Sequence, residues 1–253
     1  MSKFVDKLQN LFRSPASPIG FRSSVNESNV PAMLLIAGMS RTDVKDIGVA
    51  VSHEVDAGLI LTQDFNTEMV KQTIKAAGDV PVGILLKDVS GEKLHQLLDS
   101  GCDFLVLDTK MPATALRAEG MGKFLAIGLS LDSGLVRAIN NLDVDGVFLI
   151  SDGDSFTTVE HLLIYRRFSE LLDKPLIAML PSPVDTDVLS NLREAGISGV
   201  VVPATQPSEA FVELRKLIDS LPKEVKHKRG RASVTLPQCT DITDVEEEED
   251  EEP

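Results

Sequence analysis

The sequence is poor in the residue types on which several classes of function depend. Its 253 residues include no Trp, one Tyr, two Cys and four His. Aromatic residues make up only 4% of the chain, so no series of rings is available to stack nucleic-acid bases or sugars. Cys102 and Cys239 are too few for a disulfide framework, which indicates a reduced, cytoplasmic protein.

Long apolar runs and positive charge are also scarce. No stretch of about 18 uninterrupted apolar residues occurs, so we expect no transmembrane helix. The first residues lack the apolar core of a signal peptide. The net charge is −14, but nine of the carboxylates lie between residues 241 and 252. The rest of the chain is only mildly acidic, which argues against nucleic acid as a ligand of its surface.

What the chain does contain is eight short apolar runs, with helix-like segments between them. Each run is continuous rather than alternating, which is typical of parallel strands buried on both faces. Eight such runs predict a closed (β/α)8 barrel, a TIM barrel, over residues 31–222, and an open doubly wound sheet is the alternative. The runs begin near residues 33, 57, 82, 104, 124, 146, 175 and 199.

The turns before these runs alternate between two kinds. Odd-numbered runs follow a proline or lysine, as at Pro81 and Pro175, where a missing N–H is tolerated. Even-numbered runs follow small and acidic residues, as at Asp56 and Asp145. The repeating unit is therefore a pair of βα modules used four times, which favours the closed barrel.

The two ends of the chain differ from the middle. Residues 1–30 form an amphipathic helix and a linker, with apolar side chains at helical spacing over 3–12. This helix packs on the bottom or side of the barrel, or it binds a membrane surface or a partner. Residues 223–253 are basic and then acidic, and we predict that they are disordered. Three roles are open for this tail: solvation, tethering of a basic protein partner, or contact with nucleic acid through the basic run. The acidic block would oppose the contact with nucleic acid.

Polar residues directly follow the predicted strands, where the ligand site of such a barrel lies. Lys87, Asp108 and Lys110 form the sharpest cluster and are the candidate catalytic residues, since a lysine among carboxylates serves as acid–base catalyst, Schiff-base former or anchor. The alternative is a ring of ion pairs that neutralises the open barrel end. The candidate substrate-binding residues are Arg41, Gln63, Asp132, Asp152 and Thr205.

Metal binding has little support in the sequence. No histidine follows a predicted strand, which argues against a zinc site. An oxygen-only Mg²⁺ site from Asp108, Asp132 and Asp152 stays open as an alternative. We predict neither a metal nor an organic cofactor.

One segment carries a family resemblance. Residues 174–202, from Lys174-Pro175-Leu176 to Gly199-Val200-Val201-Val202, resemble the seventh and eighth strands of the phosphate-binding (β/α)8 barrels, which include flavin-mononucleotide oxidoreductases. The resemblance implies a phosphate grip of glycines after both strands. Here Pro181-Ser182-Pro183 and Pro203-Ala204-Thr205 stand in those places. The expectation is a barrel of this superfamily without the phosphate-binding glycines, and hence without bound flavin.

The sequence thus predicts a TIM-barrel protein that binds an unidentified small metabolite at its strand carboxyl ends. One hypothesis is a lyase or isomerase-like enzyme. The other is a barrel without catalysis that acts as a binding or scaffold protein.

Overall fold

The computed structural model closes all eight predicted strands into a single parallel barrel, in which each strand pairs with its sequence neighbours and β8 pairs with β1. The TIM-barrel prediction is therefore confirmed, and the open sheet is wrong. The structure describes residues 2–12, 31–39, 55–61, 67–87, 97, 100–151, 157–180, 185–206 and 208–221. The strands are β1 Leu34–Met39, β2 Ala57–Ile60, β3 Val82–Leu86, β4 Phe104–Asp108, β5 Gly122–Gly128, β6 Gly146–Ile150, β7 Leu176–Met179 and β8 Ile197–Pro203.

The described residues include six α-helices, of which one precedes β1 and five lie on the outside of the barrel. Their bounds are α1 Lys3–Phe12, α2 Thr67–Ala77, α3 Ser133–Ala138, α4 Val159–Leu171, α5 Thr186–Glu194 and α6 Ser208–Ser220. Within the described ranges, no helix has the length and apolar character needed to cross a bilayer.

The connection between β4 and β5 differs from the prediction of a helix-like segment. It contains only a 3₁₀ turn, Ala113–Arg117, preceded by Pro112. Gly120 then adopts a left-handed backbone with φ of +85°, which turns the chain toward β5. Proline and glycine at these positions leave too little chain for a regular α-helix.

The acidic residues of the repeated turns have a structural role at the bottom of the barrel. Leu35 N donates to Asp56 Oδ2 at 2.9 Å, and Asp56 N donates back to Leu35 O at 2.8 Å. Lys123 N likewise donates to Asp145 Oδ2 at 2.8 Å. Each carboxylate thus satisfies a backbone N–H of the preceding odd-numbered strand. Lys123 lies within β5, which begins two residues earlier than the apolar run predicted.

Helix α1 closes the bottom of the barrel, which is the first of the two placements that the sequence allowed. Phe4 is fully buried and stacks on Phe104 with a centroid separation of 4.4 Å. Phe124 and Phe148 continue the cluster along the barrel axis, 5.4 Å apart and edge to face. The helix therefore belongs to the inner core rather than to a free surface.

Two glycines make room for this packing. A Cβ atom on Gly83 would come within 2.2 Å of the Phe104 ring. A Cβ atom on Gly122 would lie 2.7 Å from Val5 Cγ2 and 2.9 Å from Ser2 Oγ. Strands β3 and β5 carry glycine at these inward positions because the aromatic ring and α1 occupy the space that a side chain would need.

Candidate ligand site at the barrel mouth

Side chains along each strand point alternately into and out of the barrel. This alternation identifies the residues that face inward at the carboxyl-terminal mouth. Leu85 and Val106 belong to the inner core, whereas Leu86 and Leu107 pack outward against the helices. Because successive strand residues point to opposite faces, the positions two residues beyond the inner core face inward again. This mouth layer consists of Gly38, Leu61, Lys87, Asp108, Gly128, Ile150, Met179 and Pro203.

Lys87 and Asp108 are neighbours in the mouth layer. The β3–β4 register pairs Leu86 with Leu107, so the next step places Lys87 beside Asp108, on strands about 4.8 Å apart. Asp108 is half-buried, and Lys87 is exposed. Lys110 N donates to Asp108 Oδ1 at 2.9 Å and so holds the turn after β4. The fold thus brings the three candidate catalytic residues to one corner of the mouth.

These charged groups do not neutralise one another by contact. Within the part of the chain that the structure describes, the ammonium groups of Lys87 and Lys110 form no ion pair or hydrogen bond, and Asp108 Oδ2 accepts none. The opposite end of the barrel is different, since Arg215 and Asp56 form a partly buried ion pair at 2.9 Å. The corner therefore offers two cations and one free carboxylate oxygen.

The rest of the mouth layer consists of apolar side chains, glycine and proline, a feature that the sequence analysis missed. Leu61, Ile150 and Met179 are partly buried and pack against the inner core, so they form an apolar floor. Among the described residues, a Cβ atom on Gly128 would meet only Ser130 Oγ, at 4.0 Å. The alternation of inward and outward side chains along each strand is the signal that identifies these residues. The first polar residues after each strand include both inward and outward positions and therefore do not identify them.

The candidate substrate-binding residues lie outside this layer or outside the described residues. Asp132 is exposed, and its Oδ2 accepts a hydrogen bond from Gly134 N at 2.7 Å, which caps α3. Thr205 is exposed two residues beyond the mouth layer. Arg41, Gln63 and Asp152 lie outside the described residues.

Several helix N-termini at this face are already occupied by side chains of the chain itself. Besides the α3 cap, Thr158 Oγ1 accepts from His161 N at 3.2 Å at α4. At α5, which follows β7, Asp185 Oδ1 accepts from Val188 N at 2.8 Å. A capped N-terminus has fewer free N–H groups and less positive potential for an anion.

The histidine and cysteine described by the structure serve the fold. His161 Nδ1 accepts from Thr158 N at 3.2 Å and completes a capping box on α4. Burial raises the pKa of the Cys102 thiol to about 12, so this thiol stays protonated near neutral pH. Among the described residues, no three His, Cys, Asp or Glu side chains are arranged to hold a metal ion.

Comparison with known proteins gives the fold and no more. No protein-family model matches the chain, and no curated protein sequence matches it. Solved structures of the tryptophan synthase α-subunit from Pyrococcus furiosus are similar. A mutant α-subunit has 14% identity and a TM-score of 0.58, over 76% of this chain and 98% of that chain.

A second neighbour comes from a study of the mutual activation of the tryptophan synthase α2β2 complex from the same organism. It has 15% identity and a TM-score of 0.57, over 76% of this chain and 98% of that chain. At this identity the likeness is one of fold.

Proposed function

We propose that the protein binds a small metabolite at the mouth layer and acts on it as a lyase or isomerase-like enzyme. The observation that carries the proposal is the corner of Lys87 and Asp108, two opposite charges on neighbouring inward positions above an apolar floor, neither of which forms an ion pair with a residue that the structure describes. Charged groups in a barrel mouth that lack such a partner are available to a ligand.

The corner suits proton transfer next to a carbonyl group. Asp108 Oδ2, which has no partner in the described part of the chain, removes the proton as general base. The Lys87 ammonium stabilises the negative charge that develops on the substrate oxygen. Lys110, on the same turn, anchors an anionic group of the substrate. Arg41, Gln63 and Asp152 follow β1, β2 and β6 in the sequence, and we keep them as proposed substrate-binding residues.

A thermal-shift screen of small metabolites tests this proposal. Compounds that bind the native protein raise its melting temperature. We expect at least one compound to stabilise the wild type and Lys75→Met, and to lose its effect in Lys87→Met. Lys75 is an exposed lysine on α2 and serves as the matched control. Equal shifts in all three proteins would place binding elsewhere and contradict the proposal.

The second candidate function is a barrel without catalysis that binds a protein partner. Leu135, Val159 and Leu163 are 59%, 74% and 67% exposed, on the neighbouring helices α3 and α4. Exposed apolar residues grouped in this way are typical of interaction surfaces. One fold neighbour, described as part of an α2β2 complex, gives a precedent for a partnered barrel.

The two candidates predict different outcomes of one experiment. If the barrel is a scaffold, no compound in the screen gives a shift that depends on Lys87. In that case Val159→Ser and Leu163→Ser, but not Lys87→Met, weaken the binding of a purified partner. The charged tail, residues 223–253, is a further proposed contact for a basic partner.

A further inference from the structure

The mouth layer also indicates what kind of molecule fits it. Its polar corner holds two ammonium groups and one free carboxylate oxygen, without partners among the described residues. Two lysines in the same corner favour a carboxylate or phosphate group. The free Asp108 oxygen accepts a hydrogen bond, so the ligand also needs a donor a few bonds from its anionic group.

The surroundings favour a single negative charge over a doubly charged phosphate. The N-termini of α3, α4 and α5 are capped by Asp132, Thr158 and Asp185, so each has fewer free N–H groups and less positive potential to hold phosphate. The first turns of the helices that begin at this face add further carboxylates. These exposed carboxylates are Glu68, Glu160, Asp187 and Glu209. Lys87, Lys110 and Asp108 together carry a formal charge of +1, which one carboxylate balances, whereas a dianion would leave excess negative charge facing these carboxylates.

The apolar floor indicates the size and polarity of the uncharged part of the ligand. Leu61, Ile150 and Met179 present aliphatic surface beside the charged corner. Gly128 and Pro203 add little side-chain volume, whereas the space beside Gly38 is filled by Val201 and Leu61. Because the interior of a TIM barrel is filled by its own side chains, the ligand lies above this floor at the mouth, where a short, branched aliphatic body covers it.

We propose that the ligand is a short aliphatic hydroxycarboxylate. Its carboxylate binds Lys87 and Lys110, its hydroxyl donates to Asp108, and its aliphatic body covers the apolar floor. This inference rests on the proposed small-molecule function of the mouth and names its ligand class.

Three probes of matched shape and one dianion separate the contributions of the polar groups and of charge. β-Hydroxyisovalerate carries both polar groups, tert-butylacetate replaces its hydroxyl by a methyl group, and isopentyldiol replaces its carboxylate by a hydroxymethyl group. Glycerol phosphate supplies the dianion. Binding to the full-length protein is measured by ligand-observed NMR titration with wild type, Lys87→Met, Asp108→Asn and the control Lys75→Met.

We expect β-hydroxyisovalerate to bind the wild type and Lys75→Met with equal affinity. It should bind at least about tenfold more tightly than any of the other three probes, because each of those probes loses one polar contact or gains repulsion. Lys87→Met weakens its binding by about tenfold or more. Asp108→Asn removes the preference over tert-butylacetate, because an amide oxygen is a weaker acceptor than a carboxylate.

The contrary results are separable. The ligand class is wrong if glycerol phosphate or isopentyldiol binds more tightly than β-hydroxyisovalerate and this binding depends on Lys87. It is also wrong if other screened compounds bind at Lys87 and β-hydroxyisovalerate does not. Either result leaves the mouth as a binding site. Failure of every compound to show a Lys87-dependent effect overturns both this inference and the proposed function.

Discussion

The carboxylate of Asp103 accepts a hydrogen bond from the backbone N–H of Phe4 at 3.0 Å, although 99 positions separate the two residues. The same carboxylate accepts from Lys3 N at 2.8 Å and from Ser2 Oγ at 2.7 Å. Asp103 therefore caps α1 from the turn before β4, as a carboxylate of the helix itself would. This contact fixes the helix in the bottom of the barrel and directs Phe4 onto Phe104.

Phe4→Ala should lower the free energy of unfolding by about 3–5 kcal/mol, because it empties a fully buried position in the inner aromatic cluster. The measurement is urea unfolding followed by circular dichroism. Phe12→Ala, at the 37% exposed end of the same helix, is the matched control and should cost less than half as much.

Asp103→Asn should also destabilise the protein, by about 1–3 kcal/mol. The two carboxylate oxygens accept three hydrogen bonds from the start of α1, and asparagine keeps only one acceptor oxygen.

Equal, small effects of Phe4→Ala and Phe12→Ala would show that α1 does not close the barrel in solution.

Much of this fold can be predicted from the sequence because the signals are local. Eight continuous apolar runs give eight buried parallel strands, and the repeated acidic turns at Asp56 and Asp145 mark the same place in the first and third pairs of strands. The docking of α1 on Asp103 has no local signal, because nothing within either segment specifies a partner about a hundred residues away. Pro112 and Gly120 are the local signal for the absence of an α-helix between β4 and β5.

The mouth layer shows a similar division. Lys87, Asp108 and Lys110 are predictable as a group, because parallel strands bring their carboxyl ends together. Asp132 is a helix cap, a role that its position directly before Ser133 and Gly134 could have indicated. The apolar floor of Leu61, Ile150 and Met179 was missed because a search for polar residues does not detect it.

Cys102 should be resistant to thiol reagents in the folded protein. Its thiol is buried, its pKa is raised to about 12, and its Sγ contacts Val82 O at 3.3 Å. In a Cys239→Ser variant, which leaves one thiol, Ellman's reagent at pH 8 should react more than about tenfold more slowly than with the same variant in urea. Equal rates in the two conditions would contradict the burial of this side chain.

The ion pair of Lys123 with Asp143 should contribute a small, pH-dependent stabilisation. Lys123 lowers the pKa of the Asp143 carboxyl from its ordinary value of 3.8. The contribution is therefore complete above that value and is lost as the pH falls below it. Because Asp143 is 88% exposed, Asp143→Asn should cost less than about 1 kcal/mol at neutral pH.

Thermal unfolding from neutral to acidic pH checks this prediction. The difference between Asp143→Asn and wild type should shrink as the carboxyl is protonated. Asp79→Asn, which breaks a largely exposed pair with Lys3, should have almost no effect at any pH. A difference that grows toward low pH would contradict the assignment.

The claim that Lys87 and Asp108 are kept for a ligand rather than for the fold is tested most directly by the urea unfolding of Lys87→Met without ligand. Since the Lys87 ammonium has no partner among the described residues, we predict that the free energy of unfolding is unchanged or raised. If Lys87 instead belongs to a neutralising ring, its removal leaves Asp108 half-buried without a counter-charge. A loss of more than about 1 kcal/mol would then appear and would contradict the account.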